Sequence, residues 1–257
     1  MILAIPAWLQ ALINLRDYTL IDFAFFIVCF TCWVLAYWEI IVNIKKYKYV
    51  DMPIIAGTAN IVWEFLWAFV FVINMGPAAV WGVRIWFAMD VAINIGLIRY
   101  ASKQMIIPEF KKHSFIIYCF LIASWSALLY FFVTMKLDNG VGGVTAMLSN
   151  LVMSILYIIM VFRKPDLWRI RVKTAWYKFI GTGCISFISL HVASFRTNYF
   201  LITMGAIAFV LDAYYIYLLY YLRKFRGAKL HSLQVRNEVL KQSGFNPLSE
   251  KMPVTMS

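Results

Sequence analysis

Charge is what this chain has least of. Only 14% of its 257 residues are charged, and acidic residues number just 12. So few charges cannot solvate the surface of a water-soluble domain. Histidine is scarce as well: His113, His191 and His231 are too scattered for a zinc or di-iron set, so no metal site is expected. The four cysteines, Cys29, Cys32, Cys119 and Cys184, all fall inside apolar runs, where they act as small apolar residues and imply no disulfide framework. There is no Gly-rich phosphate loop, no nucleophile elbow and no internal repeat. Nothing calls for a cofactor. Prolines are absent from the places where they would break a helix. All seven (Pro6, Pro53, Pro77, Pro108, Pro165, Pro247, Pro253) sit at run ends, in connections or in tails. Broken helices mark many transporter sites, so unbroken runs favour a bundle around a fixed pocket.

Apolar residues are abundant, at 63%. Seven runs are long enough to cross about 30 Å of hydrocarbon as helix: 22–43, 53–74, 78–100, 114–135, 143–163, 178–195 and 199–222. The sixth is short and polar, with Ser186, Ser189 and His191. The expected fold is all-α, an integral membrane bundle of seven transmembrane helices. It occupies residues 1–223, and 224–257 form a basic cytoplasmic tail. Residues 1–21 contain Pro6 and lack the basic n-region of a signal peptide. They read better as an interfacial segment carrying Trp8 and Leu9.

The basic residues orient the bundle. Of 24 Lys and Arg, 20 lie in or beside the connections after runs one, three and five and in the tail. The opposite side holds only Arg16, Arg84, Lys136 and Arg196. Cytoplasmic loops collect basic residues, so the amino terminus is expected outside and the tail inside. Because these charges flank the runs and form no patch, the net charge of +12 points to anionic lipid and not to nucleic acid.

Against this background three buried acids stand out. Glu64 lies in PIIAGTANIVWEFLWAFVFVIN, Asp90 in the third run and Asp212 in YFLITMGAIAFVLDAYYIYLLYYL. A carboxyl group at mid-bilayer costs about 2.5–3.5 kcal/mol on insertion scales, so each is a candidate for function. Asn60, Trp67 and Phe71 share the Glu64 face of a helix. Trp86 and Asn94 share that of Asp90, and Phe209 and Tyr215 that of Asp212. At similar depth, the three acids are expected to meet in one cavity. The bland alternative is polar glue between helices, which fits Asp90 and the asparagines best.

A water-poor pocket disfavours the charged form of a carboxyl group. A neutral acid among aromatic faces can protonate an alkene or epoxide, and the rings then hold the developing cation. Water must be excluded, or the cation is quenched.

Three stretches carry a family resemblance: NIVWEFLWAFVF, INIGLIRYA and LDAYYIYLLYYLRKF. They resemble the small seven-helix integral-membrane terpene cyclases of meroterpenoid and indole-diterpenoid pathways. The family's N-x-x-W-E motif matches Asn60, Trp63 and Glu64, and its last-span acid matches Asp212. The resemblance implies that Glu64 and Asp212 start cyclisation of a lipophilic prenylated substrate by protonating a terminal epoxide or alkene. Substrate-binding residues are then expected at Asn60, Trp63, Trp67, Phe71, Trp86, Asp90, Asn94, Phe209 and Tyr215. The chain has no aspartate-rich DDxxD or DxDD run, which sets it apart from metal-dependent soluble cyclases. The rival reading is a proton-coupled or small-molecule transporter with the buried acids as proton sites. A retinal protein is disfavoured because the last run, 199–222, has no lysine.

Overall fold

A computed structural model describes residues 6–164 and 167–242. Among these the secondary structure is entirely helical. After a short helix α1 (Ala7–Leu12) come α2 (Leu20–Tyr47), α3 (Ile54–Phe65, prolonged by a π turn over Leu66–Val70) and α4 (Pro77–Tyr100). A short α5 (Pro108–Lys112) leads into α6 (Ser114–Thr134), α7 (Gly143–Arg163), α8 (Trp168–His191) and α9 (Tyr199–Gln242).

The ends of these helices follow from local chemistry. At the start of α2 the Thr19 hydroxyl accepts from the Asp22 N–H at 3.2 Å, and the Asp22 carboxylate accepts from the Thr19 N–H at 2.7 Å. This reciprocal box satisfies two donors that the first turn leaves free. Pro77 opens α4 and Pro108 opens α5, at positions where no N–H is needed. Asp138 caps α7 by accepting from the N–H groups of Val144 and Thr145 at 2.9 and 3.2 Å. Burial pushes the Asp138 carboxyl up, and those bonds oppose the shift.

Among the described residues five helices are long and apolar enough to cross a membrane: α2, α4, α6, α7 and α9. The expected seven runs all fall on helices, but α3 is shorter and α8 more polar than that standard. The sixth run also starts earlier than expected, at Trp168 instead of 178. The last helix passes its expected end at 222 and continues to Gln242, while 243–257 lie outside the described residues.

Six helices pack into a closed ring in the order α2, α4, α3, α7, α9, α8 and back to α2. The remaining long helix, α6, lies outside the ring against α3, and Leu129 is its one buried residue. With lipid as apolar as leucine, the ring is held mainly by close packing and interhelical hydrogen bonds. Both ends are tied. At one end, Asn14 donates to the Asn74 carbonyl at 2.8 Å and to Asp17 at 2.9 Å, and the Asn74 N–H donates to Gly140 O at 2.8 Å. These bonds join three of the connections there into a cap. At the other, basic end, Arg171 donates to Asp51 at 2.8 Å and to the carbonyls of Met160 and Lys164 at 3.2 Å. Arg171 is fully buried, so it is a clamp between helices and no longer counts as a loop charge.

Candidate active site

Asn60, Trp63 and Glu64 stand one turn apart on α3, which puts them on one face. That face borders a cavity of about 620 Å³ inside the ring, in the half nearer the cap. Its walls are largely aromatic and aliphatic, with Phe26, Phe30, Trp33, Trp63, Trp86, Met147 and Met153 among them. The cap residues Ile13, Ile73, Met75 and Val141 close one end. Between α2 and α4 the cavity reaches the lipid-facing surface, for Ile27 and Trp81 line it while 65% and 62% exposed.

Glu64 is 1% exposed. Its Oε1 accepts from the Tyr37 hydroxyl at 2.7 Å and from the Asn60 amide at 3.0 Å. The same amide reaches Asp90 Oδ2 at 3.2 Å and also donates to the Tyr37 hydroxyl. Asn60 therefore bridges two buried acids on neighbouring helices. The second oxygens, Glu64 Oε2 and Asp90 Oδ1, are buried without a hydrogen-bond partner. Directly after Glu64 the helix widens, and the Phe71 N–H bonds to Leu66 O, five residues back, at 2.8 Å. Such π turns recur at functional sites, and here no proline or glycine announces one.

Trp63 is locked from the cap side. Its indole N–H donates to Thr145 Oγ1 at 3.0 Å and to Gly142 O at 3.2 Å. Gly142 has φ +70°, and a Cβ there would lie 2.3 Å from the Trp67 ring. Only glycine fits both demands. Among the described residues no cluster of His, Cys, Asp or Glu could hold a metal ion.

A buried acid with one unpartnered oxygen, set beside a largely aromatic and aliphatic chamber of a membrane bundle, is the arrangement expected of a cation-cyclising enzyme. The family model of the Pyr4-like transmembrane terpene cyclases matches residues 13–225. The chain belongs to this family. It is a membrane terpene cyclase, and its substrate is lipophilic and prenylated. No curated protein and no solved structure matches it.

The cyclase does not bring all its expected site residues together. Asn60, Trp63, Glu64 and Trp86 line the cavity. Asp90 is fully buried behind Asn60. Asn94 lies deeper still, donating to Asp90 O at 3.0 Å and accepting from Tyr118 at 3.1 Å. Trp67 and Phe71 are not among the lining residues and belong to an aromatic stack that runs to Tyr130 on α6. Trp67 sits in the π turn, and Phe71 follows the helix end in extended backbone. Phe209 stacks on Phe179 at 4.6 Å and is half-exposed. Tyr215 packs on Tyr157 at 5.2 Å in the core of the basic end.

Asp212 departs most from expectation. The single cavity shared by three acids is corrected here, because Asp212 is not among the lining residues and is paired with a cation. Both its oxygens accept from Lys178 at 2.7 Å, and Oδ2 also accepts from Thr182 at 2.9 Å. Lys178 further donates to Ser154 at 2.6 Å. An apolar run over 178–195 puts Lys178 at the mouth of a span. With α8 starting at Trp168, it sits ten residues, about 15 Å, inside the helix.

Tyr37, Lys178, Thr182, Ser149 and Asn150 were the residues that sequence reasoning missed. Tyr37 is one aromatic among many in its run, and Lys178 looked like an ordinary flanking charge.

Proposed function

We propose that Glu64 starts the cyclisation by giving a proton to an alkene or epoxide of the bound prenyl chain. The observation that carries this is the asymmetry of its carboxyl group. Oε1 already accepts two hydrogen bonds, so the acidic hydrogen belongs on Oε2, the oxygen left without a partner. As the proton leaves, negative charge develops on a carboxylate that Tyr37 and Asn60 already solvate. Preorganised donors of this kind stabilise charge without reorganising at the moment of reaction. Asn60 also links Glu64 to the second buried acid, Asp90, so the two carboxyl groups belong to one hydrogen-bonded unit.

The cation that forms is then held by the faces of Trp33, Trp63 and Trp86. When the last cation loses a proton, the net change is an isomerisation. Asp212 supports the site from behind its wall, as the partner of Lys178 and Thr182. The test is to feed membranes bearing the protein a panel of prenylated and epoxyprenylated aromatic compounds and to analyse the products. Cyclised isomers that depend on Glu64 support the reading. Unchanged substrate with every member of the panel, from well-inserted protein, refutes it.

A further inference from the structure

The cavity wall opposite α2 is built differently from the rest. On α7, Ser149 and Asn150 both line the cavity, and their Oγ and Oδ1 atoms are buried without hydrogen-bond partners. Buried polar groups are nearly always paired, so an orphaned one beside a cavity points to a missing ligand atom.

The orientation of the Asn150 amide follows from proton counting. Asp212, ion-paired with Lys178, can only accept. Thr182 has one hydroxyl hydrogen and gives it to Asp212 at 2.9 Å. The Thr182 oxygen must then accept from Asn150, whose Nδ2 lies 3.1 Å away. The amide NH2 is thereby turned to α8, and the carbonyl oxygen is left over on the cavity residue. Lys178, Asp212 and Thr182 thus leave the carbonyl oxygen, an acceptor, as the unpartnered end of Asn150.

We propose that this wall recognises a hydrogen-bond donor, an O–H or N–H, on the otherwise apolar substrate, with Asn150 Oδ1 as the acceptor and Thr182 and Asp212 as positioning residues. Ser149 can either donate to the same group or accept from it. The indole N–H of Trp86, also lining the cavity and unpartnered, offers a donor from α4. The proposal rests on the cavity being the substrate site, but not on Glu64 being the proton donor. It gives Asp212 a function at a distance, through two hydrogen bonds.

The test compares farnesol with farnesyl methyl ether, which differ by one donor, in binding to the full-length protein in lipid nanodiscs. The wild type should favour the alcohol by about tenfold, the weight of one buried hydrogen bond. Asn150→Leu should abolish the preference while leaving the affinity for the ether unchanged. Thr182→Val, nearly isosteric, should reduce the preference by freeing the amide to turn, again with the ether unaffected. A merely structural role would weaken both probes together. Equal binding of the two by the wild type, a preference retained in Asn150→Leu, or no binding of either probe overturns the proposal. Binding is also measured in Glu64→Gln. If that variant turns over normally yet keeps the alcohol preference, the proton-donor reading falls and donor recognition stands.

Discussion

The Tyr37 hydroxyl donates to Glu64 Oε1 over 2.7 Å, across 27 residues of chain and from one ring helix to another. This bond and that of Asn60 converge on one oxygen and leave the other bare. The first two predictions concern this asymmetry.

Glu64→Gln keeps the shape of the side chain and removes its acidic hydrogen. Turnover should fall at least about 10²-fold, the lower range for general acid catalysis. Expression, insertion and helix content should be those of the wild type. Near-normal product formation by the Gln variant would show that the proton comes from elsewhere.

Tyr37→Phe removes one of the two donors on Oε1. A hydrogen bond to a charged group is worth about 1.5–3 kcal/mol, so turnover should drop by about tenfold or more. Asn60→Leu severs the links to Glu64 and Asp90 together and should cost more. Single-turnover rates in membranes separate these losses from changes in binding. A Tyr37→Phe rate equal to the wild type would mean that the phenol only packs.

The Lys178–Asp212 pair sets a stability prediction. Lys178→Met strands a buried carboxylate and should destabilise by about 3–5 kcal/mol. The double variant Lys178→Met/Asp212→Leu should recover most of that loss, because a buried pair is often replaceable by apolar groups. Thermal unfolding in detergent reads both. A double variant less stable than the single one would mean that the pair is net stabilising.

Asp51 lies in the connection between α2 and α3, and burial pushes its carboxyl up to about 6 against the pull of Arg171. Its unfolded value is about 3.9. Between these values the folded protein holds the proton and the unfolded chain does not, so stability should fall as pH rises from about 4 to about 6 and then level off. Asp51→Asn has no group to titrate there and should show a flatter profile over that range. The measurement is the unfolding midpoint of both proteins across it, and parallel profiles would rule the effect out.

The topology expected from the basic asymmetry remains testable even though Arg171 and Lys178 are buried pairing residues. Reporters inserted after Lys48, Lys112 and Lys164 should all read as cytoplasmic, and one placed in the connection near Asp138 should not. Two of the first three reading as external would reverse the orientation.

Much of the architecture was legible because lipid imposes a simple rule: an unbroken apolar run must satisfy its own backbone, so it is a helix. Glu64 was legible for the complementary reason, as an acid where packing alone would place leucine. Its partners were not. Nothing in a linear run says that α2 sits beside α3, so Tyr37 looked like packing. Asp212 was legible as a buried acid but not as half of an ion pair, since Lys178 resembles an ordinary flanking charge until α8 is known to begin ten residues earlier. The π turn after Glu64 has no marker residue. Trp67 lies within it and Phe71 just past its end in extended backbone, so neither keeps the wall position that regular helical spacing gave it.

The gap between α2 and α4, where Ile27 and Trp81 line the cavity while facing lipid, changes what concentration means for this enzyme. A substrate that arrives sideways is counted in molecules per lipid, not per litre. Adding empty vesicles at fixed substrate should therefore dilute the reactant and slow turnover, although nothing in the aqueous phase has changed. Apparent KM values should scale with total phospholipid and become constant once expressed as mole fraction in the membrane. Competitors would rank by how strongly they partition as much as by how well they fit.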